Sequence, residues 1–107
     1  MTPQYFDALV QERFTKCNDT LTLKGEEYSR EGDRLWNFKI AGAIINSTPE
    51  EALLGMLSKH WVSIIDMIRS NEHISQKLMD DKINDAINYM PLLEGLLIER
   101  NERLSKK

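Results

Sequence analysis

Apolar residues recur at helical spacing along the whole chain, and no segment alternates with the period of a strand. Phe6, Val10, Phe14, Cys17 and Leu21 follow one another at steps of three or four residues, which places them on one stripe of a helix. From Gly25 to Asp33 the apolar period stops, so this stretch reads as the end of helix 1 and a polar loop. Asp33 is a suitable N-cap for a second helix from Arg34 to about Ile45, with Leu35, Phe38, Ala41 and Ile45 toward the core. Thr48-Pro49-Glu50-Glu51 is the strongest local signal. Thr at the N-cap, Pro at the first helical position and Glu at the third make a capping box with a pre-set first turn. The helix it opens is expected to reach about Arg69, with Leu53, Met56, Leu57, His60, Ile64, Met67 and Ile68 as its apolar stripe and Trp61 beside it. A turn at Ser70–His73 precedes a fourth helix, beginning between Ile74 and Leu78 and ending near Leu104. Its expected buried side is Leu78, Ile83, Ala86, Ile87, Met90, Leu93, Leu97 and Leu104. Pro91 removes a backbone donor, so a kink or a split is expected near Asn88.

These elements predict an all-α four-helix bundle with a Pro-kinked last helix, one domain over 1–107, its polar tail (100–107) frayed. The stripes are broad enough to be completed by a second copy, so a homo-oligomer is expected. Composition narrows the function. No apolar run reaches the roughly 18 residues of a membrane span. The first residues lack the basic-then-apolar pattern of a signal peptide, so a cytoplasmic protein with no membrane partner is expected. The single cysteine, Cys17, excludes an internal disulfide and a Cys-based zinc site. With 14 basic against 17 acidic residues the net charge is −3. That argues against DNA as a partner, which calls for a basic footprint. The loose basic cluster Lys24, Arg30, Arg34 and Lys39 is interleaved with Glu26, Glu27, Glu31 and Asp33.

The informative polar residues repeat at helical spacing beside the apolar stripes. Lys59, Ser63 and Asp66 share a face of the third helix, and Asp81, Asp85 and Asn88 share a face of the fourth, with Asn84 and Tyr89 nearby. Mg²⁺ takes one or two carboxylates together with waters and phosphate oxygens. Two Asp at i, i+4 suit it, and a lysine across a groove would neutralise phosphate charge. The same spacing describes an ordinary solvated helix face, and on spacing alone both readings stand. Antiparallel packing of the first and last helices would add Glu26 and Glu27 to the acidic set. His60 reads as a core histidine, His73 as solvent-exposed and Cys17 as a small buried hydrophobe. Phe6, Phe14, Trp36, Phe38 and Trp61 fall on helical stripes and read as core. Tyr28, in the polar loop beside Glu26, Glu27, Arg30 and Arg34, reads either as a ring for a base to stack on or as an ordinary loop tyrosine.

The linear order of the pieces adds a resemblance. Leu23-Lys24-Gly25-Glu26-Glu27-Tyr28-Ser29 is followed by Asp33-Arg34-Leu35-Trp36-Asn37-Phe38. Then come the Thr48-Pro49 helix holding Lys59-His60, and Asp81-Lys82-Ile83-Asn84-Asp85-Ala86-Ile87-Asn88-Tyr89. This order, over roughly Thr20 to Glu99, resembles small, largely phage-encoded helical proteins related to the MazG-like all-α nucleotide pyrophosphohydrolases. The resemblance implies an oligomeric helical domain that handles nucleotides or their phosphates. It implies Tyr28, Asn37 and Lys59 as nucleotide-binding residues, and Asp81 and Asp85 as ligands of Mg²⁺. The enzymes of that group carry a Glu-x-x-Glu pair early and a Glu-x-x-Asp pair late; here the early acids are adjacent and the late pair is Asp81-x-x-x-Asp85. The expectation is therefore a nucleotide binder that either hydrolyses with Mg²⁺ or holds its ligand intact. A phage-encoded chain of this kind would work in the host cytoplasm. There it would serve as an anti-defence sponge for a signalling nucleotide or as an inhibitor of a host protein.

Overall fold

A computed structural model describes residues 1–106. It is all-α: α1 (Pro3–Tyr28), α2 (Trp36–Ile44), α3 (Pro49–Arg69) and α4 (Gln76–Ser105), with no strand among the described residues. The expected frayed tail is helical through Ser105, and Lys107 lies outside the described residues.

Local chemistry sets each helix start. Thr2 Oγ1 accepts from the Tyr5 amide at 3.1 Å ahead of Pro3. Thr48 Oγ1 accepts from Glu51 at 3.1 Å ahead of Pro49, the Thr half of the expected capping box. Ser75 Oγ accepts from Leu78 at 3.1 Å. Each bond satisfies one of the free amides of a first turn. The second helix begins later than expected, at Trp36. Arg30 and Asp33 exchange two backbone hydrogen bonds, at 3.1 and 2.8 Å, around Glu31 (φ 54°) and Gly32 (φ 75°). Two consecutive positive φ values make a type I′ turn. Asp33 is held in that turn, and its Oδ1 instead accepts from the Leu35 amide at 2.9 Å. The first helix also runs longer, so Tyr28 is its last residue and not part of a loop.

The exit from α2 is equally specific. Ser47 N–H donates to Gly42 O at 2.8 Å and Asn46 N–H to Ala43 O at 3.1 Å, with Asn46 at φ 55°. This is a Schellman ending. It folds the chain back over Gly42, where a Cβ would meet the Thr48 carbonyl carbon and oxygen at 2.8 Å.

α4 is the spine. α3 packs along one side of it, α1 along another, and α2 lies on α3. The six-residue connection at 70–75 returns α4 antiparallel to α3. α1 runs parallel to α4, since Arg13 meets Asp80 and Lys24 meets Asp85. The apolar core lies where α2, α3 and α4 converge: Phe38, Leu53 and Leu96 are buried, with Leu35, Met56, Tyr89, Leu92 and Leu93 against them. Contact between α1 and α4 is polar instead. Arg13 and Lys16 both bond Asp80, the first at 2.8 Å. Asn84 Oδ1 accepts from Arg13 and from the Cys17 thiol, and Asn88 Nδ2 donates to Cys17 O at 3.1 Å. Asn84 and Asn88 are both buried, so these bonds prevent the desolvation cost of unpaired amides.

Several expected core positions are corrected. Phe6, Phe14, Trp61, Ile68 and Leu104 are exposed. Only Leu96, with the two asparagines, is fully buried on α4. Pro91 does not divide α4, which continues through it. The proline is exposed. Parallel packing of α1 and α4 leaves Glu26 and Glu27 exposed instead of joined to the α4 acids.

Candidate functional site

A cleft of about 240 Å³ opens between the C-terminal half of α1, the start of α2 and the middle of α4, with Met56 of α3 contributing to its wall. Three of the residues implied by the sequence resemblance line it together: Tyr28, Asn37 and Asp85. The other two do not. Lys59 is exposed on α3, outside the cleft lining, and Asp81 is exposed one turn before Asp85, also outside it.

The residue that α3 turns toward Asp85 is the neighbour of Lys59. His60 is half-buried, and its Nδ1 stands 3.7 Å from Asp85 Oδ2. That distance is too long for a hydrogen bond, and the nitrogen is buried without a partner. Its ring lies against Tyr89, centroids 5.3 Å apart and tilted 46°. On the other side of Asp85, Lys24 Nζ is 3.7 Å from Oδ1. A single carboxylate thus sits between an ammonium and an imidazole. Burial, then the charge of Asp85, then Tyr28, push the Tyr89 hydroxyl above its ordinary pKa, so it stays a neutral donor.

Arg34 supplies the second cation. One guanidinium nitrogen donates to Leu21 O at 3.3 Å, and no carboxylate pairs with it among the described residues. Its stem lies across α1 at Gly25, where an added Cβ would meet Arg34 Nε at 3.0 Å. A glycine one turn after Leu21 therefore allows the guanidinium to reach the cleft. Asn37, at the start of α2, has a buried side-chain oxygen with no hydrogen-bond partner. An unsatisfied buried acceptor costs on the order of 1–3 kcal/mol.

The cleft thus gathers two cations, one carboxylate, the Asn37 and Asn88 amides and two tyrosines beside apolar side chains. Lys24, Arg34 and Tyr89 carried a signal in the sequence, since they lie in the three ordered runs that begin at Leu23, Asp33 and Asp81. His60 carried its place on the apolar stripe of the third helix, where it reads as a core histidine, and its adjacency to Lys59. No group of three His, Cys, Asp or Glu side chains that could hold a metal ion occurs among the described residues. Among the described residues no helix is long and apolar enough to cross a membrane. No protein-family model, curated protein or solved structure matches the chain.

Proposed function

We propose that the chain binds a nucleotide in the α1–α2–α4 cleft. The observation that carries this reading is that one cleft gathers the Lys24 and Arg34 cations with the Asn37 side chain. A nucleotide has both complements, a base edge with N–H donors and an anionic phosphate. Tyr28, 42% exposed at the cleft rim, offers a ring face on which a base stacks. Arg34 presents a fork that suits phosphate oxygens, and Lys24 adds a point charge. The volume lies below the roughly 300–1,000 Å³ of drug-sized sites. The cleft therefore takes the base and its first phosphate, with further phosphates reaching solvent.

Asp85 is the carboxylate available to a Mg²⁺ ion that arrives with the phosphates, since Mg²⁺ is commonly held by one carboxylate plus phosphate oxygens and waters. Lys24 and His60 already flank it, and Asp81 lies outside the cleft. This supports binding over a resident hydrolytic metal centre. Retention of an uncleaved nucleotide is the behaviour of a sponge.

Calorimetry with nucleoside mono-, di- and triphosphates, with and without Mg²⁺, tests the reading. Loss of a charge-assisted hydrogen bond is worth about 1.5–3 kcal/mol, so Arg34→Ala is expected to weaken binding by roughly 10- to 100-fold. Asn37→Ala is expected to change the preference among bases, and Lys59→Ala to change nothing. Absence of binding at millimolar nucleotide, or equal affinity in the Arg34→Ala and Lys59→Ala variants, refutes the site.

A further inference from the structure

The solvent side of α3 carries a second apolar stripe that no element among the described residues covers. Leu54, Trp61, Ile65 and Ile68 are 61%, 48%, 43% and 76% exposed. At about 100° per residue they fall within an arc of roughly 60° and run about 21 Å along the helix. Their spacing of seven, four and three is that of a coiled-coil seam. Ser58, the remaining seam position, is small, and its hydroxyl is turned back to Gly55 O at 2.8 Å.

We infer that this stripe is the interface with a second copy of the chain, with the two α3 helices antiparallel about a two-fold axis at Trp61. Three observations lead there. The first is area. The chain exposes 7891 Å², whereas a compact monomer of 12.4 kDa exposes about 6,100 Å². The excess of roughly 1,800 Å² exceeds the about 800 Å² per partner that a standard interface buries. The second is the symmetry of the stripe. Leu54 and Ile68 are each seven residues from Trp61. Reversal about Trp61 sets Leu54 against Ile68 of the partner subunit, and small Ser58 near Ile65 of the partner subunit. A two-fold interface requires such self-complementarity. The third is charge. Glu51 and Arg69 flank the stripe on the same edge, exposed and outside every ion pair of the chain's described residues. The antiparallel arrangement brings Glu51 near Arg69 of the partner subunit at both ends, whereas a parallel one places the two copies' charges on opposite edges of the seam, where they meet no partner. His60, on the adjacent face, keeps its place beside Asp85, so each copy retains its own cleft.

Sedimentation at tens of micromolar and cysteine cross-linking test this together. The wild type is expected to sediment at twice 12.4 kDa. Ile65→Glu is expected to sediment as a single copy with its helical circular dichroism unchanged. Trp61→Cys is expected to form a disulfide-linked dimer under mild oxidation. Leu54→Cys and Ile68→Cys are expected to link to each other when mixed, and neither to itself. A single-copy wild type at 100 µM overturns the interface, and so does a dimer unaffected by Ile65→Glu. Self-linking of Leu54→Cys and Ile68→Cys, each without the other, overturns the antiparallel arrangement.

Discussion

Two glycine-to-alanine substitutions in neighbouring helices are expected to change stability in opposite directions, because only one of the glycines is needed for a close approach. In a helix interior Ala is favoured over Gly by about 0.8–1 kcal/mol. At Gly55, in α3, nothing lies within 4 Å of where a Cβ would stand, so Gly55→Ala is expected to gain close to that full amount. At Gly42 the Schellman ending of α2 brings the backbone of Thr48 and Pro49 across the helix, and a Cβ would stand 2.8 to 2.9 Å from three of its atoms. Those atoms belong to the backbone that opens α3 and have no rotamer into which to retreat. Forced overpacking costs roughly 1–3 kcal/mol, and displacement of a backbone turn belongs at the upper end. After the helix gain is subtracted, Gly42→Ala is expected to lose about 2 kcal/mol. At about 4–8 °C per kcal/mol for a chain near this size, that lowers Tm by roughly 8–16 °C, against a rise of about 3–8 °C for Gly55→Ala. Urea unfolding followed by circular dichroism, at one fixed protein concentration because self-association shifts the midpoint, separates the two. An equal or higher midpoint for Gly42→Ala refutes the reasoning, since the turn would then accept a side chain.

Four further outcomes follow from the same structure. Thr48→Ala is expected to cost about 1 kcal/mol through the lost Glu51 cap, and Thr48→Ser to retain most of it, by urea midpoint. Glu31 holds φ 54° in the I′ turn, so Glu31→Asn or Glu31→Gly is expected to gain up to about 1 kcal/mol by the same measurement. Bonds from Gln76, Arg13 and Lys16 hold the Asp80 carboxyl down to about 2; its stabilisation is therefore present above its unfolded value near 3.9 and lost as pH falls toward 2. Acid titration of Asp80→Asn is expected to be flatter than wild type between pH 4 and 2. Cys17 is 3% exposed, and burial raises its thiol above the ordinary value, so a thiol reagent at neutral pH is expected to react at the rate of unfolding and not before.

The order and type of the helices were legible because each apolar stripe and cap is a local property. Which stripe would be buried was not, because that depends on what stands opposite. α4 shows this most clearly. Its leucines and isoleucines suggested one apolar face, yet the face buried against α1 is the one with Asn84 and Asn88. An asparagine goes inside when a specific donor and acceptor await it, here Arg13, the Cys17 thiol and the Cys17 carbonyl, and no periodicity encodes a partner about 70 residues away. α1 shows the converse. Phe6 continues the stripe of Cys17, but Arg13 already pairs with Asp80, four residues into α4. Residues before about Leu9 therefore extend past the beginning of α4, and an apolar stripe without an opposite helix stays exposed.

The same reasoning explains which parts of the cleft were legible. Tyr28, Asn37 and Asp85 were legible as members of ordered runs, and the fold brings these three together. Lys59, the cation that the resemblance implies, lies outside the cleft lining. On a helix, a step of one residue turns a side chain by about 100°. Lys59 therefore points to solvent, while His60 faces Asp85. Lys24 and Arg34 take the cationic role because parallel packing sets the last turns of α1 beside Asp85, Asn88 and Tyr89. Helix direction, decided by the polar Arg13–Asp80 and Cys17–Asn88 contacts, thus determines the charge of the cleft. The two buried asparagines act on function through it: their loss would release α1, and with α1 both Lys24 and the helix face across which Arg34 lies.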